Sequence, residues 1–215
     1  MARTIVVGDI HGCFDELIDL LDQLHLEHDD RLIAVGDLVT KGPKNREVLD
    51  LFIADNRFSS VVGNHDRKIR QKLRGEPVRL NKDQQRVLRE LNPQPEKYAT
   101  YLRSLPFTIA LGRYLIVHAG LRPGVDLDKQ MASDMTEIRT MGADPPNRRG
   151  LPWYAVYRGP RTVVFGHWPA REPRRGAYAV GLDTGCVYGG RLTAYVLESG
   201  EFVSVPARQK YVGKK

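Results

Sequence analysis

The chain has 215 residues, enough for one domain with a continuous core and a sheet at its centre. Its 33 lysines and arginines exceed its 26 aspartates and glutamates by 7, and it has two cysteines, Cys13 and Cys186. Two cysteines at that spacing exclude a disulfide framework or a thiolate zinc ribbon, and no apolar run is long enough to span a bilayer. No hydrophobic targeting segment stands ahead of Thr4, so a reducing cytoplasm is the expected compartment.

Short β-branched runs at Thr4 to Val7, Leu32 to Val35, Ser60 to Val62, Tyr114 to Val117 and Thr162 to Phe165 predict buried strands. Between the first two, Phe14, Leu17, Ile18, Leu20, Leu21 and Leu24 recur at helical spacing, predicting a helix over Cys13 to Leu24. A second helix is expected to begin near Pro43 and run through Val48, Leu49 and Phe52. Asn81 to Leu91 and Glu96 to Leu105, parted by Pro93 and Pro95, predict two helices of a small basic cap over about 67–105. Between Arg67 and Arg103 stand 11 basic residues against 4 acidic ones, matching the whole net excess. Most of these are expected on a solvated helical face, and a few to draw anions toward a neighbouring site. Tyr178 to Leu182, Leu192 to Leu197 and Glu201 to Val205 suggest a terminal β-meander, and Arg208 to Lys215 a mobile basic tail after a domain spanning 1–207. Strands alternating with helices predict a layered α/β fold.

The informative feature is where the strands end. The five runs lead into Gly8-Asp9-Ile10-His11-Gly12, Gly36-Asp37, Gly63-Asn64-His65-Asp66, His118-Ala119-Gly120 and Gly166-His167. Open α/β sheets gather ligands at the C-terminal edges of their strands. One aspartate there is most often a turn former, and one buried histidine is most often hydrogen-bonded core. Four of six histidines beside two aspartates and an asparagine point instead to oxygen- and nitrogen-ligated metal. Two divalent ions about 3.5 to 4 Å apart, sharing a carboxylate, can clamp an in-line displacement at phosphorus.

In order, these motifs, the second extended to Gly36-Asp37-x-Val39-x-x-Gly42, resemble those of the phosphoprotein phosphatase superfamily, which has the calcineurin-like metallophosphoesterase fold. More narrowly, Gly36-Asp37-Leu38-Val39-Thr40-Lys41-Gly42-Pro43, Asp66 and the run Leu182-Asp183-Thr184-Gly185-Cys186-Val187-Tyr188-Gly189-Gly190 are similar to the ApaH-like branch, related to symmetrical diadenosine tetraphosphate hydrolases. The resemblance covers residues 8 to about 190. It implies a β-sandwich flanked by helices (αββα) with a small helical cap, and an enzyme that hydrolyses phosphoanhydrides or phosphomonoesters. Asp9, His11 and Asp37 would hold one metal ion, and Asp37, Asn64, His118 and His167 the other, with Asp37 bridging. The ions would be divalent, with manganese first and iron, zinc, cobalt and nickel as alternatives. A hydroxide shared by the ions would attack phosphorus, and His65 would protonate the leaving oxygen. Asn64, Lys41 and Arg139 would contact phosphate. Lys41 replaces the superfamily's usual arginine, which turns a bidentate fork into a point charge.

Thr40 stands where the superfamily usually has an aspartate that orients and charges the general-acid histidine. A hydroxyl cannot stabilise an imidazolium as a carboxylate does. Good leaving groups, nucleotide phosphates and aryl oxides, are therefore expected to suit the chain better than phosphoserine. The expected partner is a phosphorylated small molecule, nucleotide or phosphoprotein, with nucleic acid less favoured and no membrane. A serine/threonine protein phosphatase, a catalytically silent scaffold and a nuclease on the same metal core are the alternatives. Trp153, Tyr154 and Tyr157 are expected in the core or rim, where one could stack on a base. His25 and His28 are expected in solvent, and Cys13 as a small buried residue.

Overall fold

The computed structural model describes residues 2–142, 144 and 146–213. Its first sheet has the order β10-β9-β1-β2-β3, formed by β1 (Thr4–Val7), β2 (Arg31–Ala34), β3 (Phe58–Ser60), β9 (Arg191–Val196) and β10 (Glu201–Pro206). The second has the order β4-β5-β6-β8-β7, formed by β4 (Thr108–Leu111), β5 (Tyr114–Val117), β6 (Thr162–Phe165), β7 (Arg174–Gly176) and β8 (Ala179–Gly181). In each sheet three neighbouring strands are parallel, β1-β2-β3 and β5-β6-β8, and the remaining strands pair antiparallel.

The layers follow from the two-residue period of the strands. Along β1 and β2, Ile5, Val7, Leu32 and Ala34 face one core, which also takes Leu17, Leu20, Val48, Phe52, Val87 and Leu102 from helices. The alternate residues Val6 and Ile33 face Tyr114, Ile116, Val164 and Val180 of the second sheet. The other side of that sheet, Leu115, Val117, Val163 and Phe165, packs on Met135, Ile138 and Trp153. The result is helix, sheet, sheet, helix, the αββα sandwich expected from the motifs. The first outer layer holds α1 (Phe14–Leu24), α2 (Asn45–Ala54), α3 (Asn64–Leu73), α4 (Lys82–Leu91) and α5 (Pro95–Ser104). The second is thinner, with α6 (Ala132–Glu137) and α7 (Trp153–Val156).

Several boundaries differ from the sequence expectation. The second helix starts at Asn45, two residues after Pro43, because the Asn45 side chain accepts a hydrogen bond from Thr40 N (2.6 Å) and donates to Gly42 O (3.1 Å), which holds the preceding residues in a turn. The third strand is Phe58–Ser60, two residues early, although Val61 N still donates to Ala34 O (3.1 Å). Helix α3 was not foreseen, since only Asp66 and Ile69 along it are buried and no apolar stripe marks it. Its start is stabilised by Asp66, whose Oδ2 reaches back to Gly63 N (3.1 Å). The short strands β4 and β7 were also missed; they are partly exposed antiparallel partners at the sheet edges.

The terminal meander is corrected. Strand β8 lies in the second sheet, parallel to β6, so of the three expected meander strands β9 and β10 pair with each other and β8 does not join them. The segment after β8 therefore crosses from one sheet to the other and carries Asp183 and Tyr188 past the strand ends. The expected mobile tail is instead fastened to α1 as far as it is described: Arg208 pairs with Asp19 (2.7 Å), and Tyr211 Oη donates to Glu16 Oε1 (2.8 Å). Lys214 and Lys215 lie outside the described residues. No helix among the described residues is long and apolar enough to cross a membrane.

Candidate metal centre

Every parallel strand end contributes to one cluster. Asp9 and His11 follow β1, Asp37 follows β2, Asn64 and His65 open α3 beyond β3, His118 follows β5, His167 follows β6 and Asp183 follows β8. The loops are cross-tied: His11 N donates to Asp37 O (2.7 Å), Gly12 N to Leu38 O (2.9 Å), and Gly42 N to His11 O (2.8 Å). Five of the six described non-glycine residues at positive φ lie here: His11 (50°), Asp37 (52°), Thr40 (84°), Lys41 (67°) and His167 (67°). Such conformations cost about 1–3 kcal/mol each and persist only where the surroundings over-determine them. Two glycines allow the close approach. A Cβ on Gly63 would overlap Asp37 Oδ1 and its backbone N, and a Cβ on Gly166 would overlap Asp9 Oδ1.

Asp37 is central. Its Oδ2 lies 3.4 Å from His11 Nε2 and 3.5 Å from His118 Nε2, and its Oδ1 accepts from His65 N (2.9 Å). Asp9 accepts from His167 N through Oδ1 (3.0 Å) and lies 3.9 Å from His11 Nε2. Asn64 Oδ1 lies 3.1 Å from His118 Nε2 and 3.2 Å from His167 Nδ1.

Backbone carbonyls set the histidine tautomers. His11 Nδ1 faces Val39 O (3.2 Å), His118 Nδ1 faces Val35 O (2.8 Å) and His167 Nε2 faces Glu137 O (3.2 Å). A nitrogen against a carbonyl oxygen must carry the proton, which assigns a lone pair to the other nitrogen. The nitrogens His118 Nε2 and His167 Nδ1 then point lone pairs at the Asn64 oxygen, beside the Asp37 carboxylate. Acceptors converging on acceptors fit a cation between them, and a backbone carbonyl is a usual acceptor for the other ring N–H of a metal-ligating histidine.

The electrostatics agree. Burial, with Asp183 and Asp37 nearby, holds the Asp9 carboxyl well above the usual range, and burial raises Asp37 to about 6. Burial lowers His118 to about 4 and pushes His11, His65 and His167 well down. Neutral imidazoles are the form that binds metal, and a divalent ion supplies the charge that buried carboxylates otherwise lack. The donor set therefore fits divalent metal.

The sequence-predicted residues Asp9, His11, Asp37, Lys41, Asn64, His65, His118 and His167 thus come together. Lys41 Nζ lies 2.7 Å from His11 Nε2 and 5.3 Å from the centre of the Tyr188 ring. Arg139 lies on the wall of the same cavity, of about 140 Å³, where Nη1 donates to Pro146 O (3.0 Å) and Nε has no partner among the described residues. Thr40 Oγ1 lies 2.7 Å from His65 Nδ1, in the place expected for it.

Other residues escaped the sequence reading. Asp183 and Arg148 share the cavity wall, the former buried and raised by desolvation. Asp66, noted only as a branch marker, accepts from Leu38 N (3.3 Å), Val39 N (3.3 Å) and Gly63 N (3.1 Å), tying two ligand loops together. Arg86 donates to Lys41 O (3.0 Å) and Gly42 O (2.8 Å), so one of the basic residues serves the Lys41 turn. Trp153, Tyr154 and Tyr157 are packing residues: Trp153 is fully buried with Nε1 donating to Ala119 O (3.1 Å), Tyr154 stacks on Phe165, and Tyr157 is buried. Trp168, directly after Gly166-His167 and so in a position from which it could have been found, lines open space beside the metal centre together with Tyr188. His25 and His28 are exposed and Cys13 is buried, as expected.

The family model for calcineurin-like phosphoesterases matches residues 2–201. The chain belongs to this metallophosphoesterase family. This phosphoesterase is 32% identical over 240 residues to the asymmetrical bis(5'-nucleosyl)-tetraphosphatase PrpE of Halalkalibacterium halodurans, covering 98% of the chain and 96% of the relative. It superposes on a crystal structure provisionally described as a diadenosine tetraphosphatase with a TM-score of 0.83 and 37% identity, covering 96% of the chain and 94% of the other. A serine/threonine phosphatase from Saccharomyces cerevisiae shares the fold at a TM-score of 0.70 and 18% identity, over 97% of the chain and 80% of that protein. The bacterial relative carries the asymmetrical designation, whereas the motifs alone pointed to kinship with symmetrical hydrolases. The family is one of metal-dependent hydrolases, in keeping with the donor set.

Proposed function

We propose that this phosphoesterase is a dinuclear-metal hydrolase of dinucleoside polyphosphates, cleaving a tetraphosphate off-centre into a nucleoside monophosphate and a triphosphate. The observation that carries the reading is the convergence of acceptors: Asp9, His11 and Asp37 around one position, and Asp37, Asn64, His118 and His167 around a second. Bound there, two divalent ions, manganese before iron, zinc, cobalt or nickel, supply Lewis acidity at phosphorus and acidify the attacking water.

The chain's own residues do the rest. Asp37 links the two positions, while the Val39, Val35 and Glu137 carbonyls keep the imidazole lone pairs aimed inward. Lys41 and Arg139 offer positive charge to the phosphoryl oxygens, the first as a point and the second as a planar fork. His65 is assigned proton transfer to the leaving oxygen. Assigning Thr40 Oγ1–H, 2.7 Å away, as the donor to Nδ1 leaves the proton on Nε2. Burial and then Lys41 disfavour the imidazolium, so His65 acts as a hydrogen-bond donor and a weak acid. Such an acid suffices for a nucleotide phosphate leaving group and serves a serine alkoxide poorly. The names of the relatives support the nucleotide half of this reading.

The test strips tightly bound metal, restores manganese and compares kcat/KM on diadenosine tetraphosphate, inorganic polyphosphate, capped RNA and a phosphoserine peptide. Diadenosine tetraphosphate is expected to be turned over fastest, with AMP and ATP as products. A preference for the phosphopeptide, or two ADP as products, overturns the reading.

A further inference from the structure

A second cavity of about 590 Å³ adjoins the metal centre and shares Lys41, His65, Arg148 and Tyr188 with its wall. Away from that shared boundary its wall is made by Asn81 and Asp83 at the start of α4, by Trp168, and by Val212 in the fastened C-terminal segment. We infer that this cavity is a nucleoside chamber, in which a base stacks on Trp168, the ribose hydroxyls donate to Asp83, and the 5'-phosphate reaches Lys41 and Arg148. The inference rests on the proposed hydrolysis of dinucleoside polyphosphates and names the part of the chain that selects them.

Three features argue for it. The volume lies within the roughly 300–1,000 Å³ of small-molecule sites, whereas the metal cavity of about 140 Å³ has room for little beyond phosphate. The charge is graded, with lysine and arginine at the boundary to the metal centre and an amide and a carboxylate away from it. A phosphate is attracted to the first end and repelled from the second, while a sugar diol donates well to a carboxylate. The indole is held in place: the Arg174 guanidinium packs 4.9 Å from its ring centre and donates to the backbone carbonyls of Trp168 and Pro169. A fixed aromatic face accepts a base with little ordering cost.

Trp153 is buried in the second core, so of the two tryptophans only Trp168 can report on the chamber. AMP titrated into the manganese-loaded enzyme is expected to quench tryptophan emission, and inorganic phosphate at the same concentration is not. Trp168→Ala should weaken AMP binding, measured by calorimetry, about tenfold or more, the scale of one lost base stack, while Trp168→Phe retains most of it. In Trp168→Ala and separately in Asp83→Ala, on a different element, the ratio of kcat/KM for diadenosine tetraphosphate over inorganic tripolyphosphate should fall several-fold or more. Unchanged AMP affinity and ratio in both variants, with tetraphosphate still turned over, overturn the chamber alone. AMP binding that depends on Trp168, in a chain that prefers the phosphopeptide, overturns the substrate reading and leaves the chamber standing.

Discussion

The two sheets build their halves of the candidate metal centre differently. The first contributes Asp9, His11, Asp37, Asn64 and His65 from loops in which four residues hold left-handed backbone, His11, Asp37, Thr40 and Lys41. Those loops are pinned by Asp66, Asn45 and Arg86, all from the helical layer beside them. The second contributes His118, His167 and Asp183, with only His167 left-handed. Its supports are the Trp153 bond to Ala119 O and Arg174 beneath Trp168 and Pro169, with the long excursion between β5 and β6 carrying Arg139 and Arg148. The first half is thus a frame of hydrogen bonds that cross between loops, and the second a packed wall that brings cations and an aromatic to the substrate side. Strain concentrates in the half with more polar buttresses, because only a network of that kind can hold it.

The largest expected effect falls where the halves meet. Asp37→Ala should abolish turnover and lower metal content, since the proposed bridging carboxylate serves both positions. Two ions per chain by elemental analysis, with near wild-type activity, would show that the halves bind metal independently.

His65 lies in the first half but is assigned to the proton and not to metal. His65→Ala should keep its metal while turnover of a substrate with a poor leaving group falls about 10²- to 10⁴-fold, the range for general acid-base catalysis. Loss of metal in that variant would move His65 among the ligands.

A pair of glycines compares the halves directly. In Gly63→Ala the new methyl meets Asp37 backbone as well as its carboxylate, and nothing flexible can give. In Gly166→Ala the nearest atoms it meets are all side chain, the Asp9 carboxylate and a Val35 methyl, with no backbone among them. Overpacking of this kind costs about 1–3 kcal/mol, and the larger drop in Tm is expected for Gly63→Ala. Equal drops would contradict the contrast between frame and wall.

Thr40→Asp should have the smallest effect and the most specific one. Aspartate tolerates the left-handed backbone at φ 84° better than threonine does. Its carboxylate, in the place of a hydroxyl 2.7 Å from His65 Nδ1, should raise the protonated fraction of His65. A gain of a few-fold in kcat/KM is expected for a phosphoserine peptide, with less for diadenosine tetraphosphate. The same change on both substrates would detach Thr40 from leaving-group preference.

The sequence by itself determined the strand ends and the motifs that follow them, because a glycine, a turn and a ligand must be neighbours in the chain for the backbone to make that bend. Asp9 and His11, Asp37, Asn64 and His65 were legible for that reason, as were His118 and His167. The buried strands were legible too, since a β-branched run covered on both faces has one simple pattern. Tertiary structure decided what depends on meeting across the chain. Asp183 joins the cluster because β8 lies parallel to β6 and not in the meander that its spacing suggested. Asp66 ties two loops because α3, with no apolar stripe to announce it, starts where two backbones run close together. Trp168 faces open space while Trp153 is buried, a difference that composition cannot carry, because burial is set by the layer each lies against.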